Sequence, residues 1–292
     1  MNSSDLRKFV SSHELGAVGW FQGRGFDGYL RAVEERVEYH QMAYRPYEAF
    51  LRAGRAAERF ATVIVLAVDY FYENAYPEGR FKISNYSRFC WKTVAEKEKL
   101  LTDFLKTNGF KAEPLDVPAR AAACAAGLGF IGKNTMFYAT GMGSYVGISV
   151  IGTDLVLAVE SEPLEQVSKA TCRQCNRCVE SCPVKAIFPE GYRIDPLRCI
   201  SFLNRHAPEP HKREPSDVRA LDRWLHGCEA CQDVCPVNKG MNHRKKVEFS
   251  DHLDLCGIKV PNRSSADREF IRARLPEISG EAWRQYVDRL TA

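Results

Sequence analysis

The longest uninterrupted apolar run in the chain is FATVIVLAV, at residues 60–68. It has the length of a strand covered on both faces, and it is too short to span a bilayer. Before it, the stretch 29–57 spaces its apolar residues at three and four, as a helix does, with a break near Pro46. After it, the same spacing predicts a helix over 91–108, ended by Asn108-Gly109, and another near 119–127, closed by Gly127. Strands are expected at 135–139, 145–151 and 154–159. The opening MNSSDLRKFVSSHEL reads as an amphipathic helix with Ser3 or Ser4 as N-cap and Asp5 in its first turn. GEAWRQYVDRL reads as a short amphipathic helix near the other end. Helices and strands that alternate in this way predict an α/β sandwich over 1–165. The polar run SEPLEQVSKAT, 161–171, connects it to a cysteine-rich module over 166–245, and a helical tail occupies 246–292. The chain as a whole is therefore of α+β class.

Composition adds little to this picture except through cysteine. The 292 residues carry 41 Lys and Arg against 37 Asp and Glu, a net charge of +4 that does not mark a nucleic-acid binder. Two local basic runs, HKRE at 211–214 and NKGMNHRKKVEF at 238–249, are candidates for phosphate contact. A polar start and the absence of a long apolar segment predict a cytoplasmic location and no membrane partner. In that compartment eleven cysteines are expected to be thiols, and so to bind metal.

Their spacing is specific. CRQCNRCVESCPVKAI, residues 172–187, places four cysteines in eleven positions and follows the last with proline. Cys175-x2-Cys178-x3-Cys182-Pro183 recurs 53 residues later as Cys228-x2-Cys231-x3-Cys235-Pro236. The counterpart of Cys172 is Leu225, which leaves the second copy one ligand short, and Cys199 is the candidate replacement. The pattern is that of bacterial ferredoxins, where three close thiolates hold one cubane and the fourth reaches across to the other. That crossing rule assigns one 4Fe-4S cluster to Cys172, Cys175, Cys178 and Cys235, and the second to Cys182, Cys199, Cys228 and Cys231. Zinc on paired C-x2-C knuckles is the alternative. Cys90, Cys124 and Cys256 remain over and read as small buried apolar residues.

A second segment, AAGLGFIGKNTMFYATGMGSYVGISVIGTDL at 125–155, holds seven glycines. Glycine at that density suits close approach of backbone to a flat ligand, or a series of tight turns. Neither a P-loop nor a dinucleotide fingerprint is present.

AGLGFIGKNT, the following GS and TDL, the eight-cysteine module with RCISFL between its halves, and GCEACQDVCPVN together resemble the epoxyqueuosine reductase family. VIVLAVDYFYE and SNYSRF add to the likeness, which covers roughly residues 15–240. The resemblance implies a cobalamin-binding α/β sandwich over 1–165 followed by a ferredoxin-like module with two 4Fe-4S clusters. It implies reductive deoxygenation of epoxyqueuosine in tRNA, or of another substrate in a short, divergent member, with electrons from a low-potential donor such as ferredoxin or flavodoxin. Gly129, Ile131, Gly132, Lys133, Asn134, Gly143 and Ser144 are the implied corrin-binding residues, and Asp116 is the implied proton donor. Tyr86 and Tyr138 are further phenol candidates for that role. Three features depart from the family: Asp116 lies closer to the glycine loop than the family's acidic residue, SRFCWKT at 87–93 lacks an acidic residue, and little chain follows the cluster module. A ferredoxin-like electron carrier without its own substrate is the alternative reading.

Overall fold

The computed structural model describes residues 1–23, 56–71, 82–86, 90–158, 172, 174–190, 192–196, 198–202 and 224–239. Helix 29–57 (but for its last two residues), the connector 161–171, the basic run 211–214 and the helical tail lie outside the described residues, as does the second basic run beyond its first two positions. The described chain divides into two compact units. The first comprises Met1–Asp69, Trp91–Gly132 and Met136–Thr171; the second comprises Tyr70–Cys90, Lys133–Thr135 and Cys172–Ala292.

The first unit is built on a four-stranded sheet. Strands β1 (Ala17–Gln22), β2 (Thr62–Asp69), β4 (Ala112–Pro114) and β7 (Val146–Thr153) stand in the order β1-β2-β7-β4, and every neighbouring pair is antiparallel. β2 is the strand expected from the apolar run, and its period of two explains why it is apolar on both faces. Val63, Val65 and Ala67 enter one core with Phe21, Ala121, Ala122, Ala123, Phe137 and Val150. Ile64, Leu66 and Val68 enter the other with Leu6, Val10, Trp20, Leu101 and Leu105. Helices α1 (Ser3–Ser12) and α2 (Trp91–Thr107) cover that second face, and α3 (Ala119–Ala125) covers the first. Completely buried Ile64 and Leu66 each add about 2–3 kcal/mol of hydrophobic stabilisation.

Local chemistry sets the element ends. α1 is capped by Asn2, not Ser3 or Ser4: Asn2 Oδ1 accepts the Asp5 N–H at 3.0 Å, and Asp5 Oδ2 accepts the Asn2 N–H at 2.9 Å, a reciprocal capping box. α2 and α3 match the expected helices, and Gly109 (φ +85°) and Gly127 (φ +70°) follow their ends in the left-handed region. The strand expected at 154–159 does not form over its described part. Leu155 and Leu157 are buried while Val156 is 79% exposed, so the alternation is real. Yet their backbone N–H groups donate to threonine hydroxyls, Leu155 to Thr153 Oγ1 and Leu157 to Thr62 Oγ1, instead of to a partner strand.

A two-stranded antiparallel hairpin, β5 (Gly129–Ile131) and β6 (Phe137–Ala139), completes this unit. The Gly132 N–H donates to the Met136 carbonyl at 2.9 Å and closes its neck. Lys133–Thr135, at the tip, belongs to the second unit, and Thr135 turns the chain at φ +61°.

In the second unit β3 (Lys82–Ile83) pairs in parallel with β8 (Trp224–His226). Three short helices, α4 (Arg177–Ser181), α5 (Ala230–Asp233) and α6 (Pro236–Lys239), carry or flank the cysteines. Among the described residues no helix is long and apolar enough to cross a membrane.

Candidate metal centre

All eight candidate ligands lie in the second unit, and among the described residues every cysteine is a free thiol. The two copies of the motif fold alike because they contain the same instructions. A helical turn carries Cys178 on α4 and Cys231 on α5, and the next cysteine follows where that turn ends. Pro183 and Pro236 cannot supply an N–H to continue it. After Cys235 the proline opens α6, the position proline favours in a helix. The Cys235 N–H donates to the Gln232 carbonyl, and the Cys175 N–H to the Cys172 carbonyl. At Cys182 the Ala186 N–H donates to the sulfur at 3.2 Å.

Electrostatics group these thiols. Burial raises the Cys172 thiol above its ordinary value; the Lys133 backbone N–H opposes the rise, and the charges of Cys235 and Cys175 add to it. Cys178 is pushed up to about 11, first by burial and then by Cys172, Cys175 and Cys235. Cys228 is pushed up to about 12, first by burial; the Ala230 N–H opposes, while Cys199 and Cys182 add. Cys231 lies well above its ordinary value through burial, Cys228 and Cys199, with a hydrogen bond from the Asn134 side chain opposing. The mutual influences thus run within Cys172, Cys175, Cys178 and Cys235, and within Cys182, Cys199, Cys228 and Cys231. A weaker effect of Cys178 on Cys231 links the sets. Four thiols crowded away from water resist ionising together, and iron removes that penalty by taking them as thiolates and releasing their protons. The donor set therefore fits two cubanes.

The periodicity gave no warning of Glu229, in the GCEAC of the second copy. It is 2% exposed, and burial is the first cause that raises its carboxyl to about 7. Its Oε2 accepts from Asn85 Nδ2 at 3.0 Å and its Oε1 from the Tyr86 N–H at 3.1 Å, which ties segment 84–86 to the cluster motif. A carboxylate between two cysteines was the available signal. Tyr86, one phenol candidate, takes part through its backbone, and its ring lies edge-on to Tyr70 at 5.7 Å.

The residues expected around a corrin divide between the units. Gly129, Ile131, Gly132, Gly143 and Ser144 lie in the first unit. The fold itself requires Gly129, because a Cβ there would overlap the Tyr138 carbonyl across the hairpin. Gly143 stands at φ +74° and its N–H donates to the Ala139 carbonyl. Ser144 is buried and Ile131 half-buried. Lys133 and Asn134 lie in the second unit, where Lys133 Nζ donates to Asn176 Oδ1 at 2.7 Å and Asn134 Nδ2 donates to the Cys231 carbonyl at 3.4 Å. Asp116 is exposed, in the loop between β4 and α3. Tyr138 is 2% exposed, its ring stacked on Phe130. Cys90 and Cys124 are respectively buried and half-buried.

A sandwich domain joined to a double-cluster unit defines an iron-sulfur redox protein. Residues 171–238 match the 4Fe-4S double cluster binding domain, which excludes the zinc alternative and shows two 4Fe-4S clusters as the metal cofactors. The epoxyqueuosine reductase of Cyclobacterium marinum is 30% identical over 266 residues, covering 85% of this chain and 83% of that protein. The epoxyqueuosine reductase of Lactococcus garvieae is 27% identical over 290 residues, covering 91% and 78%. The chain belongs to the epoxyqueuosine reductase family. Its fold matches the crystal structure of an epoxyqueuosine reductase with an epoxyqueuosine-modified tRNA-Tyr stem loop, at TM-score 0.72 and 20% identity over 99% of this chain and 79% of that one. It also matches the enzyme of Streptococcus thermophilus at TM-score 0.71 and 20% identity, over 100% of this chain and 80% of that one.

Proposed function

We propose that the protein is a cytoplasmic reductase that removes the epoxide oxygen of epoxyqueuosine in tRNA, using two 4Fe-4S clusters and cobalamin. The observation that carries this reading is the arrangement of eight thiols in two four-sulfur sets, within a chain of this family. Cys172, Cys175, Cys178 and Cys235 hold one cluster; Cys182, Cys199, Cys228 and Cys231 hold the other. A low-potential donor such as ferredoxin or flavodoxin supplies electrons one at a time, and the clusters store and pass them. Bound cobalamin supplies a strongly reducing metal for opening a carbon–oxygen bond.

Gly129, Ile131, Gly132, Gly143 and Ser144 are the binding residues for the corrin in the sandwich domain, with Lys133 and Asn134 beside them in sequence. The half-buried Phe130 and Ile131 offer an apolar surface, and the absence of a side chain at Gly143 would let a corrin approach the backbone there. Asp116 is the proton donor for the departing oxygen: exposed, on a loop, it can meet a large substrate. The domains are assigned as 1–165 for cobalamin, 166–245 for the clusters and 246–292 as a tail.

The test is anaerobic addition of cobalamin to the iron-loaded protein, followed by turnover of an epoxyqueuosine-containing tRNA stem loop. Stoichiometric uptake with formation of queuosine is the expected result. Full iron content without cobalamin uptake or turnover would leave an electron carrier that has no substrate of its own.

A further inference from the structure

Lys133 is 5% exposed, yet among the described residues no carboxylate pairs with it. Its Nζ has one hydrogen-bond acceptor, Asn176 Oδ1, at 2.7 Å. An ammonium has three donors and a full charge, and burying it is costly without an opposite charge nearby. Asn176 stands between Cys175 and Cys178 in the first cysteine motif, and both the Lys133 charge and its backbone N–H act on Cys172. The next residue, Asn134, is 2% exposed and turns to the other set. Its amide donates to the Cys231 carbonyl at 3.4 Å and hydrogen-bonds the Cys231 sulfur.

We infer that Lys133 and Asn134 are paired tuning residues, each setting the reduction potential of a different cluster: Lys133 that of the cluster held by Cys172, and Asn134 that of the cluster held by Cys231. The inference rests on the two-cluster reading. Each reduction adds one electron and takes a cluster core from 2+ to 1+. A nearby cation, or an N–H aimed at a ligand sulfur, stabilises the more negative product and raises the potential. The hairpin turn at 133–135 makes this possible, since consecutive residues there diverge far enough to meet different sets. Lys133 acts by charge and Asn134 by hydrogen bonding, so the two potentials respond to different substitutions.

The experiment is a potentiometric titration of the anaerobically iron-loaded full chain with dithionite, followed by electron paramagnetic resonance. Lys133→Met is expected to lower one of the two steps by about tenfold in the reduction equilibrium, or 59 mV for one electron. Lys133→Arg, which keeps the charge, restores it. Asn134→Leu is expected to lower the other step by a few-fold, and Asn134→Asp to lower it further. If Lys133→Met does not take up iron, Lys133→Gln gives the same reading with the charge removed. Unchanged potentials in variants with full iron content would overturn the inference, as would both residues moving the same step. A wild-type chain with half the iron of two cubanes would instead refute the two-cluster reading itself.

Discussion

A cysteine buried without iron is a liability, and the raised thiols of the cluster unit state how large a one. Replacing Cys178 by serine removes one sulfur from a set of four, so iron content should fall to about half while the second cluster persists; metal analysis with electron paramagnetic resonance reads both. Glu229 poses a related problem. Its carboxyl is raised from the ordinary carboxylate range to about 7, so its contribution to stability is fully present below about pH 4.5 and is lost as pH rises through 7. The cost of ionising it is on the order of 3 kcal/mol, and the negative clusters press in the same direction. Melting temperatures of the iron-loaded wild type should therefore fall between about pH 4.5 and about 7 and level off above that, whereas Glu229→Gln should lack this fall. The ligand spacing was legible because cubane chemistry dictates it in sequence. Glu229 was not, since its partners Asn85 and Tyr86 stand far away in the chain, and only folding brings them to it.

At the scale of elements, local signals succeeded where the backbone bonds within an element and failed where a side chain replaced a partner. α2 and α3 follow from periodicity and their terminal glycines. The expected strand at 154–159 alternates as a strand does, but two threonine hydroxyls take the place of a ladder. Short strands such as β4 and β8 carry too few residues for a pattern, and exist because a neighbour pairs with them. The cap is Asn2 and not Ser3 or Ser4 because Asn2 and Asp5 satisfy each other; Asn2→Ala should cost about 1 kcal/mol, measured by urea denaturation. Gly129→Ala sets a methyl against the Tyr138 carbonyl and forces the β5–β6 hairpin apart. It should cost about 3 kcal/mol and, through the hairpin tip, reduce iron occupancy; a purely local effect on stability with full iron would contradict that link.

The whole molecule combines a sandwich that owes its stability to two apolar cores with a cluster unit that packs its cysteines around a small core of Val184, Ala186, Ile187, Ile200 and Trp224. Removing iron with a chelator under reducing conditions should abolish the visible absorbance and the ordered cluster unit, while far-ultraviolet dichroism from the sheet of the first unit persists. Loss of both together would mean that the sandwich depends on iron for its own folding. The first unit also pairs β2 with β7 across 77 to 91 residues, so its sheet is expected to fold slowly for its size.

The second unit gathers three stretches that the chain delivers at different times: Tyr70–Cys90, Lys133–Thr135 and the residues from Cys172 onward. During synthesis the last ligand, Cys235, leaves the ribosome only after the other two stretches have waited beside the growing sandwich. Iron delivery must accordingly come late, and a gene fragment cut at the cysteine motif would encode the ligands without the residues that surround them. Such an excised piece would carry Glu229 without either of its donors and both thiol sets without Lys133 and Asn134. A cassette that looks portable on paper is thus bound to its host by four residues encoded far upstream.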